Sequence, residues 1–227
     1  MEKLPKINIL YEDNHLLVVI KPKNIPVQKD KSEDTDLLTI LKYYLKEKYN
    51  KKGDAYLGLV HRLDRPVSGI MVFAKTSKSA KRLSEQIRKN EMYKEYTAVT
   101  VGNLPKKGTL KDYLIKDNKT NITKVTDKEH GKEARLYYEV LATKNNMNLV
   151  KINLHTGRSH QIRVQFSNIN SPLYGDMKYN KNAKKCENIA LFANKLTFTH
   201  PTTKESLTFS YPYPNTYPYN IFTKSKI

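Results

Sequence analysis

A single cysteine, Cys186, stands among the 227 residues. One thiol closes no internal disulfide and builds no cysteine cage for zinc, which excludes the stapled scaffolds of small secreted domains. Long apolar runs are missing too. The N-terminus, Met1-Glu-Lys-Leu-Pro-Lys6, leads into no signal-peptide core, and the longest early apolar stretch, Leu16 to Ile20, is far shorter than a membrane span. These absences predict a cytoplasmic address. Tryptophan is absent altogether, and no basic amphipathic stretch carries bulky aromatic anchors, which argues against a protein that lies on membranes. Acidic side chains are scarce, 22 against 41 lysines and arginines, so the net charge is +19 and the isoelectric point near 9.7. Such a positive field concentrates polyanions, and nucleic acid is the expected partner.

What is present suffices for a core. Leu, Ile, Val and Phe supply 56 of the 227 residues, above the roughly one-fifth share below which chains stay disordered. Leu16 to Ile20 reads as a short buried strand ended by Lys21-Pro22. After a polar loop from Asp30 to Asp36, residues Leu37, Leu38, Leu41, Tyr44 and Leu45 fall at helical spacing up to about Lys48, with a cap at Thr35 or Asp36. A second apolar run, Ile70 to Ala74, precedes a second helix marked by Ala80, Leu83 and Ile87, whose outer face holds Lys78, Lys81, Arg82, Arg88 and Lys89. Residues 103–132 hold eight lysines and few apolar side chains, a composition that predicts a flexible arm outside the core. Beyond it the period becomes two. Leu136, Tyr138 and Val140, then Val150, Ile152 and Leu154, predict a hairpin with its turn at Lys144 to Asn148. Leu196 and Phe198 with Leu207 and Phe209 predict another. The pattern as a whole predicts an α+β fold with a mainly antiparallel mixed sheet and a few flanking helices. No repeat or long linker divides it, so residues 1–227 read as a single domain.

Three segments do not read as framework. The first is His61-Arg-Leu-Asp-Arg-Pro-Val-Ser-Gly69, where Asp64 is flanked by Arg62 and Arg65 at the mouth of a buried strand; two cations beside a carboxylate hold it as an anion. The second is Lys94-Glu-Tyr-Thr-Ala98 on a strand. The third is Thr156-Gly-Arg-Ser-His-Gln-Ile-Arg-Val164, where a strand ends at Gly157 and a helix is expected from Ser159. His155 and His160 lie five apart with no third ligand in view, so no metal site is expected.

Together these segments resemble the RluA-type family of RNA pseudouridine synthases. The likeness runs from Ile9-Leu-Tyr-Glu-Asp-Asn-His-Leu-Leu-Val-Val-Ile-Lys-Pro22 through His61-Arg-Leu-Asp64, Tyr96 and Gly157-Arg-Ser-His-Gln-Ile-Arg163 to Leu173-Tyr-Gly-Asp176, Tyr179 and Phe198-Thr-His-Pro201. It implies that Asp64 is the catalytic aspartate, that Tyr96 packs on the target base, and that Arg163 is the basic residue paired with the aspartate. It implies a cofactor-free isomerase acting on rRNA or tRNA, on a pseudouridine synthase fold. Since the likeness begins by Ile9, the expectation is a member without an N-terminal accessory RNA-binding domain. The sequence departs from many relatives at Val67, where threonine is frequent, and at Gln165, where histidine is common.

Breaking the bond from base N1 to ribose C1′, turning the base and joining C5 to the same carbon needs no oxidant, water or donor. An anionic carboxylate beside the ribose serves as nucleophile at C1′ or as base at C2′, and the sequence leaves both routes open. A base inside a stem must be flipped out and held against an aromatic face, which suits Tyr96. Arg62 is placed to fill the gap or grip a phosphate. Arg65, His61, Arg158, His160 and Gln161 complete the expected RNA contacts, with His61 and His160 also holding the motif loops by hydrogen bonds. Tyr211, Tyr213, Tyr217 and Tyr219 read as cover for the core. The enzyme is expected to act as a monomer, without metal or membrane. The competing class is a non-catalytic RNA-binding or ribosome-assembly protein on the same fold; an anion in an RNA cleft counts against it, because it repels phosphate.

Overall fold

The computed structural model describes residues 5–222 apart from positions 31 and 186. The lone Cys186 therefore lies outside the described residues. The chain runs β1 (Asn8–Glu12), β2 (Leu16–Lys21), α1 (Leu37–Lys48), β3 (Gly58–Leu59), β4 (Ser68–Ala74), α2 (Ser77–Arg88), β5 (Tyr93–Val101), β6 (Lys107–Asp117), β7 (Ile122–Thr126), β8 (Lys132–Lys144), β9 (Met147–Leu154), α3 (Gln161–Asn168), β10 (Leu191–Thr199) and β11 (Ser206–Ser210). A 3-10 turn, Tyr219–Phe222, closes it. This is the expected strand-rich α+β class with three helices. The described residues form two compact units, one within Met1–Met92 and Lys195–Tyr211, the other within Tyr93–Asn194 and Pro212–Ile227.

In the first unit β2 pairs antiparallel with β1 and β4, and β3 adds to β4. Leu16, Val18, Ile70, Val72 and Ala74 fall on one face of β2 and β4 and pack with Leu83 of α2 and with Leu196 and Phe198 of the β10–β11 hairpin. Asp36 caps α1 by accepting from Thr39 N at 3.0 Å, and the helix buries Leu37, Ile40, Leu41 and Leu45. Thr76 caps α2 in the same way at 3.1 Å. The Gln86 side chain meets both the C=O and the N–H of Thr199, at 2.8 and 2.9 Å, and Arg82 donates to Pro201 O at 2.6 Å. Arg82 therefore clamps α2 to the turn that follows β10 rather than standing on the outer face.

In the second unit the order is β5-β9-β8-β6-β7, antiparallel throughout. The β8–β9 hairpin turns at Asn145-Asn146, both with positive φ (53° and 56°), the backbone of the primed turns that suit twisted strands. Residues 103–132 are not a flexible arm. β6 pairs with β8 over Lys107–Leu114 and with β7 over Tyr113–Asp117. Gly108, Leu110, Asp112 and Leu114 alternate inward and Lys107, Thr109 and Lys111 outward. Leu114 and Ala134 are buried with Val164 of α3. Outward lysines such as Lys107 and Lys111 dilute the composition of a strand without removing its inner face. At the C-terminal side Tyr219 is buried with Val99, Met147 and Leu149 and stacks on Tyr213 at 5.3 Å, while Tyr217 stays exposed.

Candidate active site

Asp64 sits in the loop between β3 and β4, and that loop is held from behind by a buried lysine. Lys21, the last residue of β2, has no exposed surface, and its Nζ donates to the carbonyls of Pro22, Arg65 and Val67 at 2.8, 2.9 and 2.8 Å. Burial pushes its pKa down to about 7; the Asp64 charge opposes that fall and Arg65 adds to it. Three acceptors match the three N–H groups of an ammonium, a further reason for the charged form to persist. The main chain of the loop is stitched further by Val67 N to Asp64 O at 3.0 Å and Asn24 N to Arg65 O at 2.9 Å. His61 anchors its start, accepting from Val72 N at Nε2 at 3.0 Å.

The two arginines beside Asp64 part ways. Arg65 turns to the 24–34 loop, donating to Asn24 O at 3.2 Å and Ser32 Oγ at 2.8 Å and pairing with Asp34. Its charge is met there, so sequence adjacency did not make it the neighbour of Asp64 that the motif suggested. Arg62 is exposed and has no ion-pair partner among the described residues.

The second unit carries the other expected residues. Tyr96 is buried on β5 opposite Ile152 of β9. The helix expected from Ser159 starts two residues later, because His160 takes a left-handed conformation (φ 53°) that closes the turn ahead of α3. Gln161 is buried, not offered to solvent: its Oε1 accepts from Thr156 Oγ1 at 2.8 Å and Arg158 N at 3.0 Å. Arg158 is exposed and donates through Nε to Glu133 O at 2.8 Å.

Arg163 is gripped in a way the sequence did not disclose. Its Nε and Nη2 donate to the two oxygens of buried Asp176 at 2.8 and 2.7 Å, a two-pronged pair that fixes the plane of the guanidinium. The guanidinium carbon lies 5.1 Å from the centre of the Tyr179 ring. Tyr179 Oη accepts from Thr123 N of β7 at 2.8 Å and lies 2.7 Å from His160 Nδ1. Burial raises the Tyr179 pKa, so the phenol keeps its proton. Gly175 puts Asp176 in place. It has φ +67°, and a methyl group there would come within 2.2 Å of Asn188 O. Gln165, at the departure from the family pattern, is buried and donates to Asp112 at 2.7 Å.

Lys21 and Asp176 are the positions whose roles were missed. The one signal for Lys21 was a charge ending a buried apolar run; the signal for Asp176 was its place in the Leu173-Tyr-Gly-Asp176 segment.

The RNA pseudouridylate synthase family model matches residues 15–168, a span that takes in Asp64, Tyr96 and Arg163. The chain belongs to that family. Its members are isomerases that convert uridine to pseudouridine in RNA. It is 35% identical over 213 residues to the uncharacterized RNA pseudouridine synthase YhcT of Bacillus subtilis, covering 92% of this chain and 69% of that one. It is 36% identical over 174 residues to the ribosomal large subunit pseudouridine synthase D of Yersinia pestis, covering 76% of this chain and 52% of that one. The chain thus spans about half to seven-tenths of the length of these relatives. The fold is shared with the human RNA pseudouridylate synthase domain containing 4 protein, with TM-score 0.78 and 24% identity over 91% of this chain and 88% of that one.

Proposed function

We propose that this pseudouridine synthase isomerises chosen uridines of structured ribosomal RNA, with Asp64 as the reacting carboxylate, Tyr96 against the flipped base and Arg163 as the basic residue paired with the aspartate. The observation that carries the reading is the family match over residues 15–168, a span that contains Asp64, Tyr96 and Arg163. The choice of ribosomal RNA over tRNA is supported by relatives named as ribosomal large subunit synthases C and D. Asp64 acts beside the ribose, at C1′ or at C2′; the N1–C1′ bond breaks, the retained uracil re-adds through C5 to C1′, C5 gives up its proton and N1 ends protonated. No group outside the chain and the RNA is consumed. Tyr96 supplies the apolar face that replaces stacking lost on flipping, a loss of a few kcal/mol.

The test is pseudouridine mapping of total RNA from cells with and without the gene, followed by complementation with Asp64→Asn. This variant keeps size and removes the anion. The reading expects sites in large-subunit ribosomal RNA to vanish with the gene and to stay absent in the variant. Pseudouridine formation by Asp64→Asn within about tenfold of wild type removes the aspartate from the chemistry.

A further inference from the structure

We infer that Lys94 forms a subsite for one phosphodiester of the RNA strand that carries the target uridine. The inference rests on the reading of Tyr96 given above and adds a binding residue to it. β5 alternates, so Lys94 lies on the same face as Tyr96, two residues along and roughly 7 Å away. One ribose separates a nucleotide's base from its phosphate, a span of that order.

Lys94 differs from Lys21 and Arg163, the two covered cations described above. Its stem is half-buried, yet among the described residues its Nζ has no ion pair and no hydrogen bond. Lys21 has three carbonyls, and Arg163 has Asp176. Burial depresses the Lys94 pKa with no carboxylate to oppose it. A cation drawn out of water and left without a counter-ion is unfavourable in the free protein, and it binds an arriving anion with little further desolvation.

The space beside Nζ is also kept clear. A methyl group at Gly157 would lie 3.6 Å from Lys94 Nζ, in van der Waals contact, and glycine leaves that side of the ammonium open. Gly157 does not need its glycine for backbone reasons, since its φ is outside the left-handed range. The next residue, Arg158, is exposed and spends only Nε on a protein acceptor. A permanent anion on a flexible strand is the ligand that fits an ammonium with an open side and an exposed guanidinium close by in sequence.

The experiment measures binding of the full chain to a fluorescent stem–loop RNA with one loop uridine, across a range of salt. Lys94→Met keeps the stem and removes the charge. It should weaken binding about tenfold and flatten the salt slope by about 0.7, and Lys94→Arg should restore the slope. Gly157→Asp has room for its Cβ and sets a carboxylate beside Nζ; it should lose the same increment and add nothing to Lys94→Met, which keeps the test open if Lys94→Met fails to fold. A methylphosphonate placed in turn on each side of the loop uridine should, at one linkage, weaken the wild type and leave Lys94→Met unchanged. Unchanged salt slopes in Lys94→Met and Gly157→Asp overturn the subsite, as does a neutral linkage that affects wild type and Lys94→Met equally. If the slope falls as expected while total RNA shows no gene-dependent pseudouridine, the phosphate subsite stands and the catalytic reading falls.

Discussion

The loop that carries Asp64 and the helix that carries Arg163 are fixed by opposite means. The Asp64 loop is held by its main chain: Lys21 reaches the carbonyls of Arg65 and Val67, and Val67 N closes on Asp64 O. Arg163 is held by its own side chain, through Asp176 and the ring of Tyr179. Anchoring through carbonyls fixes where a residue sits without spending its functional atoms. Anchoring through the guanidinium itself sets its orientation, and ties folding to the same atoms that are proposed to serve the site.

The largest effect is therefore expected at Arg163. Changing it to Leu leaves the Asp176 carboxylate buried beside apolar atoms, and breaking a buried pair from one side costs about 3–5 kcal/mol. Thermal melting and denaturant unfolding should show this loss, and activity should fall with it. Arg163→Lys should recover part of the stability but not the activity, because a point charge cannot reproduce the planar fork. If Arg163→Leu melts within about 1 kcal/mol of wild type, the pair with Asp176 is not a folding element and the comparison breaks.

Lys21→Met should be milder and of a different kind. The thioether fills the buried stem space but leaves the carbonyls of Pro22 and Val67 without their donor, a cost of about 1–3 kcal/mol. Any effect of Lys21 on the chemistry should come through the position of the Asp64 loop that it holds. Turnover should fall while KM for RNA stays close to wild type, since no RNA-facing group is removed. A rise in KM with turnover intact would place Lys21 in RNA binding and erase the distinction between the two anchors.

Much of the framework that displays these loops was legible in the sequence. β2 and β4 hold continuous apolar runs, α1 and both hairpins have apolar residues at the period of their element, and the Asp36 and Thr76 caps sit where a polar side chain precedes the helix. β6 and β7 were not legible, because the outward lysines masked an inner face of only a few residues, Leu110 and Leu114 among them. The partners of the site residues were less legible still. Lys21 meets carbonyls 44 and 46 residues away, and Arg163 meets Asp176 across a turn that depends on the positive φ of Gly175. Such contacts have no period. The motif placed Arg65 beside Asp64 in sequence, yet a loop bearing Asp30 and Asp34 lies closer to its guanidinium in space.

Glu12 sharpens the comparison from outside both loops, and its expected effect at neutral pH is the smallest. Its carboxylate is nearly covered and accepts from Lys48, Lys75, Tyr44 and Tyr49 at 2.6–2.9 Å. Burial alone would raise its pKa, and the hydrogen bonds from Lys48, Lys75 and the two tyrosines outweigh burial and lower it to about 2 from 4.5. Between those values the unfolded chain binds more protons than the folded one, so stability rises with pH in that window and is flat above it. Melting temperature should hold from pH 7 to about 4.5 and then fall as pH drops toward 2. In Glu12→Gln that part of the acid slope should disappear, while pseudouridine formation at neutral pH by the folded protein stays at the wild-type level, because Glu12 holds β1 to α1 and to Lys75 and touches neither site loop. Equal acid slopes in wild type and Glu12→Gln would show that other carboxylates, such as Asp13 with its own lowered pKa, carry the acid sensitivity instead.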